Sequence, residues 1–133
     1  MTSELERRLD RILVRGTLMH LATLRPDGSP SMCTLGYQAT FSPDRLYFVS
    51  GPDLPHARDL RSDSRVAGCV VADGFEVVAF TAAARELPPG SPAPRPVRLS
   101  PGERLYRLDV TEWVLLERGP GADVVRRVVP ARP

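Results

Sequence analysis

Apolar and polar positions alternate with one period at the start of the chain and with another after residue 17. Leu5, Leu9, Ile12 and Leu13 recur at helical spacing, Ser3 and Glu6 stand before them as a capping box, and Gly16 follows as a stop. The spacing predicts one amphipathic helix. From Leu18 the period shortens: LMHLATL (18–24) and SMCTLGYQATF (31–41) flank Arg25-Pro26-Asp27-Gly28. There Pro sets the first turn torsion and Gly tolerates a positive one, so the pair predicts a β-hairpin. SPDR (42–45) predicts a second turn and LYFVS (46–50) a third strand. RVAGCVVA (65–72) and FEVVAFTAAARE (75–86) follow as the fourth and fifth. Two last strands, near 103–109 and 112–118, lead through GPGA into DVVRRVV and a Pro-Arg tail. Short strands at this spacing predict a barrel or sandwich.

Two stretches depart from the alternation. In GPDLPHARDLRSDS, Asp53 is a possible N-cap, Pro55 falls in the first turn, and Leu54, Ala57 and Leu60 share a side, which predicts a short helix crossing the barrel. Residues 87–102 hold six prolines and are incompatible with a packed helix or a central strand. They are expected to form a semi-rigid surface connection.

Composition narrows the function classes. At 133 residues the chain is expected to be a single domain, 1–133, with one core. A net charge of +2, with both signs mixed along the chain, argues against a nucleic-acid binder. All 18 basic residues are Arg, and Ala, Pro and Gly are abundant, a pattern of GC-rich coding that lowers the meaning of any single Arg. Cys33 and Cys69 are isolated, so buried reduced thiols are expected rather than a zinc site, and the compartment is expected to be cytoplasmic. With no apolar signal-like segment and no run near the roughly 18 residues that span a bilayer, no membrane partner is expected. Neither a Ser-His-Asp arrangement, nor paired carboxylates, nor a phosphate-cradling Gly loop is present, so no catalytic residue is assigned.

The order of the segments carries more. An N-terminal helix, then HLATLRPDGSP, then RLYFVS, then HARDLRSDSRVAGCVV resembles the pyridoxamine 5'-phosphate oxidase-like split barrels that bind flavins. The similarity covers residues 3 to about 86, and the strands at 103–118 are compatible with it. It implies a mainly β, Greek-key split barrel of about six to seven antiparallel strands. It also implies a homodimer with two cofactor sites at its interface and a small-molecule substrate. FMN is the usual cofactor of that family; a deazaflavin coenzyme or haem serves in related branches.

The resemblance also places candidate site residues. The strand from Ser31 through Thr34 to Tyr37 would run along the flavin ring, with Ser29 at its entrance. Many members carry Arg after the turn Gly, and Lys two residues before an Arg in the segment after the third strand; here those positions are Ser29 and His56. The family's Asn-Leu-Arg is Asp59-Leu60-Arg61, which puts a negative charge where an anion is expected. Ser50, Arg58 and Arg61 remain as phosphate donors. The two arginines, three apart, can share a helix face and clamp one phosphate, or form a solvated face with Asp59 and Asp63.

The remaining candidates have plainer alternatives. His56 is a phosphate ligand, a proton donor or an exposed helix residue. His20 is expected to be a core histidine, Tyr37 either stacks on a ring or fills the interface, and Trp113 is expected to pack in the dimer. An apolar flank around Tyr37, Phe48 and Trp113 is the expected dimer surface. Cys33 lacks a basic neighbour and is no nucleophile. The departures at 29, 56 and 59 leave a second possibility, a degenerate barrel without flavin.

Overall fold

The computed structural model describes residues 2–74, 76–121 and 123–133. Phe75, at the head of the predicted fifth strand, and Ala122, in GPGA, lie outside the described residues. The opening helix α1 spans Glu4–Arg15, and both capping-box bonds form: Glu6 N–H donates to Ser3 Oγ at 3.1 Å and Ser3 N–H to Glu6 Oε1 at 2.9 Å. Leu9, Ile12 and Leu13 are buried, each contributing roughly 1.5–3 kcal/mol of apolar transfer. Gly16 ends the helix with φ −69°, so no left-handed cap is involved. Glycine is needed there for space, because a Cβ would lie 2.5 Å from both Tyr37 Oη and Val70 Cγ1.

Eight strands follow: β1 Leu18–Leu24, β2 Pro30–Gly36, β3 Gln38–Thr40, β4 Arg45–Ser50, β5 Arg65–Asp73, β6 Glu76–Glu86, β7 Arg104–Arg118 and β8 Val124–Pro130. The second helix, α2, is Pro55–Ser62. The sheet order is β2-β1-β5-β6-β7-β4-β3, with β8 also on β7 and every pairing antiparallel. This curled half-barrel with two helices is the expected split barrel, with eight strands where six to seven were expected.

The extra count has two sources. The run 31–41 breaks at Tyr37 into β2 and β3, and the tail segment forms β8. In the other direction, the two predicted closing strands are one strand of 15 residues. Its register against β6 slips between Thr81 and Ala82, opposite Thr111, and that irregularity breaks the alternation in sequence.

Inside the curl sit Met19, Leu21, Leu46, Phe48, Val70, Val78, Phe80, Tyr106, Leu108 and Trp113. Phe48 stacks on Tyr106 with centroids 5.0 Å apart, and Phe80 meets Trp113 edge-on at 5.9 Å. Phe48 and Trp113 are therefore core residues of this chain, not a flank awaiting a partner. The Trp113 indole N–H donates to Asp44 Oδ2 at 2.8 Å. That buried carboxylate also receives the Arg132 backbone N–H at 3.0 Å and its Nε at 3.0 Å, while the rest of the guanidinium holds Asp10 and its Nε lies 3.5 Å from Glu6. Burial pushes the Asp44 carboxyl up, but the Arg132 N–H, the indole and the guanidinium outweigh it and hold it below the usual range. The Pro-Arg tail is thus bolted to α1 and to the start of β4.

Candidate functional site

The hairpin forms as its turn residues dictate: Gly28 has φ 85°, its N–H donates to Arg25 O at 2.8 Å, and Arg25 N–H donates to Ser29 O at 2.8 Å. Ser29 is engaged within the turn. Its hydroxyl and N–H both donate to Asp27 Oδ1, at 2.6 and 2.9 Å, and these two bonds hold the Asp27 carboxyl below its ordinary range. The exposed Arg25 lies against the same hydroxyl at 3.4 Å. It is a cation at this corner that the sequence reading passed over.

β2 alternates Ser31, Cys33 and Leu35 toward the interior with Met32, Thr34 and Gly36 on the outer face. Ser31 and Thr34 therefore face opposite ways, and only a ring set against the strand's open edge reaches both. That edge exists: β2 ends the sheet order, and beyond it no strand pairs among the described residues. Thr34 Oγ1 lies 3.0 Å from His20 Nδ1. His20 is a half-exposed residue of the outer face, not the expected core histidine. Burial, with Asp59 adding to it, pushes the Cys33 thiol up, consistent with an inert thiol.

Tyr37 closes β2 by donating from its hydroxyl to Leu13 O at 2.6 Å, and burial raises it to about 12. Its oxygen is committed to the end of α1.

The α2 group is more coherent. Leu54, not Asp53, is the N-cap, with no side-chain cap and with Pro55 in the first turn. A Pro at this position lacks an N–H that would otherwise go unpaired, so the helix starts without Asp53. Ala57, Asp59 and Leu60 face inward, whereas Leu54 is exposed. Ser50 is buried, and its Oγ lies 2.7 Å from His56 Nε2 and 3.1 Å from Gly51 O. Burial lowers the His56 pKa, with Asp59 opposing, so the imidazole is neutral at pH 7.

Asp59 does not face a surface anion: it is buried and accepts from Thr23 Oγ1 at 2.9 Å. Of the two arginines, Arg58 is exposed with its side chain unpaired among the described residues. Arg61 lies 3.3 Å from Glu86, which also receives the Tyr106 hydroxyl at 2.8 Å. Ser50 and His56 are thus brought together, Arg58 and Arg61 lie on their helix, and Ser29, Thr34 and Tyr37 have other partners.

A pocket of about 290 Å³ opens where β2 turns into β3. Tyr47 and Val49 of β4 and Leu105 of β7 line it, with Gly36, Tyr37 and Gln38 on one side and Val97 of the Pro-rich segment over it. None of these except Tyr37 was singled out from sequence as a binding residue. Among the described residues no cluster of metal-ligating side chains exists, and no helix is long and apolar enough to cross a membrane.

The sequence model described as pyridoxamine 5'-phosphate oxidase matches residues 5–120. No curated protein matches the chain in sequence. Among solved structures, it is similar to a pyridoxamine 5'-phosphate oxidase-related, FMN-binding protein of Nostoc punctiforme, at 14% identity over 97% of this chain and 98% of that one, TM-score 0.67. A FAD-binding protein of Mesorhizobium loti matches at 21% identity over 84% and 91%, TM-score 0.65. HutZ, a haem storage protein of Vibrio cholerae, matches at 14% identity over 81% and 91%, TM-score 0.62. At these identities the likeness is one of fold.

Proposed function

The chain belongs to the pyridoxamine 5'-phosphate oxidase family, and from that premise we propose that it is a homodimeric flavin-binding oxidoreductase acting on a small molecule, with FMN as the first choice of cofactor. The observation that carries this reading is the open edge of β2 with α2, which bears the exposed Arg58 and Arg61, packed against β1 and β2. A flavin ring needs an edge of alternating donors and acceptors, and an unpaired strand edge offers them. The residues present fit the group. Arg58 holds the phosphate, Arg61 joins it on leaving Glu86, and neutral His56, fixed by Ser50, adds a single donor. Ser31 and Thr34 flank the ring from the two faces of the edge strand. Bound FMN supplies hydride transfer; the chain's part is to orient the ring and exclude water.

The dimer follows from exposed apolar residues on the outer face. Leu18, Met32 and Val71, on the neighbouring strands β1, β2 and β5, are 53%, 73% and 49% exposed. A second copy related by a two-fold axis covers such a face and brings a second wall to the edge of β2. Analytical ultracentrifugation checks this: a species near 14.6 kDa at micromolar concentration rules the dimer out.

The second reading is a barrel without flavin, favoured by the Arg61–Glu86 pair and by the Asp27 carboxylate that occupies Ser29. One absorption spectrum separates the two. Purified protein incubated with FMN, the deazaflavin or haem is expected to retain FMN after gel filtration, with a shifted flavin band. Uptake of neither flavin sinks the oxidoreductase reading. A Soret band without flavin uptake assigns the protein to haem, for which His20 Nε2, left open by the Nδ1 contact to Thr34, is the available ligand.

A further inference from the structure

We infer that the pocket under the Pro-rich segment is a binding site for a neutral, flat aromatic molecule of one or two rings. Three observations carry this. The first is the roof. Gln38 holds Arg95 of the segment from both ends of its amide: Nε2 donates to Arg95 O at 3.1 Å, and Arg95 N–H donates to Oε1 at 2.8 Å. Pro94 and Pro96 flank Arg95 and fix the torsions on either side of it, so little entropy is lost when the strap is pinned. The pin lies two residues before Val97, which lines the pocket.

The second is the chemistry of the lining. Tyr47, Val49, Leu105, Tyr37 and Val97 contribute apolar surface, and no Arg, His, Asp or Glu lines the pocket. Gln38 is committed to the strap. Arg107, beside Tyr47 in register, is held by both oxygens of Asp109 at 2.9 and 3.3 Å. A charged ligand entering this slot loses hydration without gaining a partner among the lining side chains, whereas a neutral ring loses nothing of the kind. Of the polar side chains that line it, Tyr37 and Gln38 are already engaged, and the Tyr47 hydroxyl makes no hydrogen bond among the described residues. A ligand with one hydroxyl or carbonyl on an aromatic frame satisfies it.

The third is size. A volume of about 290 Å³ is at the lower end of small-molecule sites and suits one or two fused rings. The pocket begins at Gly36 and Tyr37, the end of the strand edge assigned above to the flavin ring. Binding at the pocket does not depend on that assignment.

The test is a fluorescence titration of the purified protein with 2-naphthol, run with and without FMN. Saturable binding of 2-naphthol is expected in both. Its charged analogue 2-naphthoate is expected to bind about a hundredfold or more weakly, since no cation lines the pocket. Val97→Trp fills the opening and should abolish 2-naphthol binding. Because Val97 is 39% exposed on the strap, its thermal unfolding should match the parent protein. Tyr47→Phe should weaken binding by about three- to tenfold, the loss of one hydrogen bond. Gln38→Ala, which releases the roof, should weaken it by about tenfold. Absence of saturable binding, equal affinity for 2-naphthoate, or an unchanged titration for Val97→Trp overturns the proposal. So does a Val97→Trp protein that loses 2-naphthol together with its dimer, because the pocket then belongs to a second copy. Failure to take up FMN, with 2-naphthol bound as expected, counts against the flavin reading alone.

Discussion

Arg132 and Arg58 show two uses of the same side chain. Arg132 is mostly buried, ion-pairs with Asp44, Asp10 and Glu6, and lies 5.2 Å over the Phe41 ring. Arg58 is exposed and has none of these. In a chain in which all 18 basic residues are Arg, the count of arginines says little about anion binding. What matters is how many carboxylates each guanidinium already serves. A saturated cation is structural, and an unsaturated one is available to a ligand.

The sharpest way to break this comparison is to remove the saturated cation. Arg132→Met leaves the buried Asp44 carboxylate with only the indole and backbone donors, and should cost about 3–5 kcal/mol in urea denaturation. Adding Asp44→Asn should recover part of that loss, a coupling that a surface pair does not show. If Arg132→Met unfolds at the parent's midpoint, saturation does not mark a structural arginine.

Next in size is the unsaturated side. Ser29→Arg with His56→Lys adds two cations toward the phosphate, and FMN should bind about a hundredfold tighter by calorimetry if each charge-assisted bond contributes about 1.5 kcal/mol. Arg58→Ala should weaken FMN by about tenfold on the same scale, while riboflavin, lacking the phosphate, should be indifferent to both changes. An unchanged FMN affinity in the double variant shows that neither position faces a phosphate.

A smaller effect is expected from Glu86→Gln. It removes the charge that holds Arg61 while keeping an acceptor for the Tyr106 hydroxyl. FMN affinity should rise by roughly three- to tenfold, with stability changed by less than about 1 kcal/mol because the ion pair is exposed. Tighter FMN places Arg61 between the two classes, as a cation that is borrowed.

The difference between elements that were legible in sequence and those that were not follows the same line. The capping box of α1 and the Gly28 turn were legible because each is closed by residues within a few positions of one another. Arg132 meets Asp44 and Asp10 across 88 and 122 residues, and no local pattern announces that. Trp113 was misread for the same reason, since its partners Phe80 and Asp44 are distant in sequence. At the site, residue types were legible, and the pairing of Ser50 with His56 was hidden because a strand end and a helix start meet there. The pocket lining was hidden too, because Val97, Tyr47 and Leu105 come from three separate segments.

The smallest expected effect is a pH dependence at His56. Its folded pKa lies below its ordinary value because burial disfavours the charged ring. The unfolded chain therefore binds the proton more readily, and the stabilisation present above pH 6.5 declines as pH falls below that value toward the folded pKa. His56→Gln should flatten this part of the stability curve in urea titrations between pH 7 and 5. A parent curve that does not fall between those pH values contradicts a half-buried neutral imidazole.

The long strand β7 carries a consequence for motion. It pairs with β6 along one side, and on the other with β4 over its first half and β8 over its second. An opening confined to one neighbour leaves the centre of β7 paired with another. Its central amides should exchange with solvent deuterium only when the whole molecule unfolds. β2 and β3 end the sheet, and β8 hangs on β7 alone. Their amides can exchange through local opening, at rates faster by orders of magnitude. The strand edge assigned to the cofactor is thus among the parts of the sheet that loosen first, and a ligand seated there should show itself as a slowing of exchange in β2 with no change in β7.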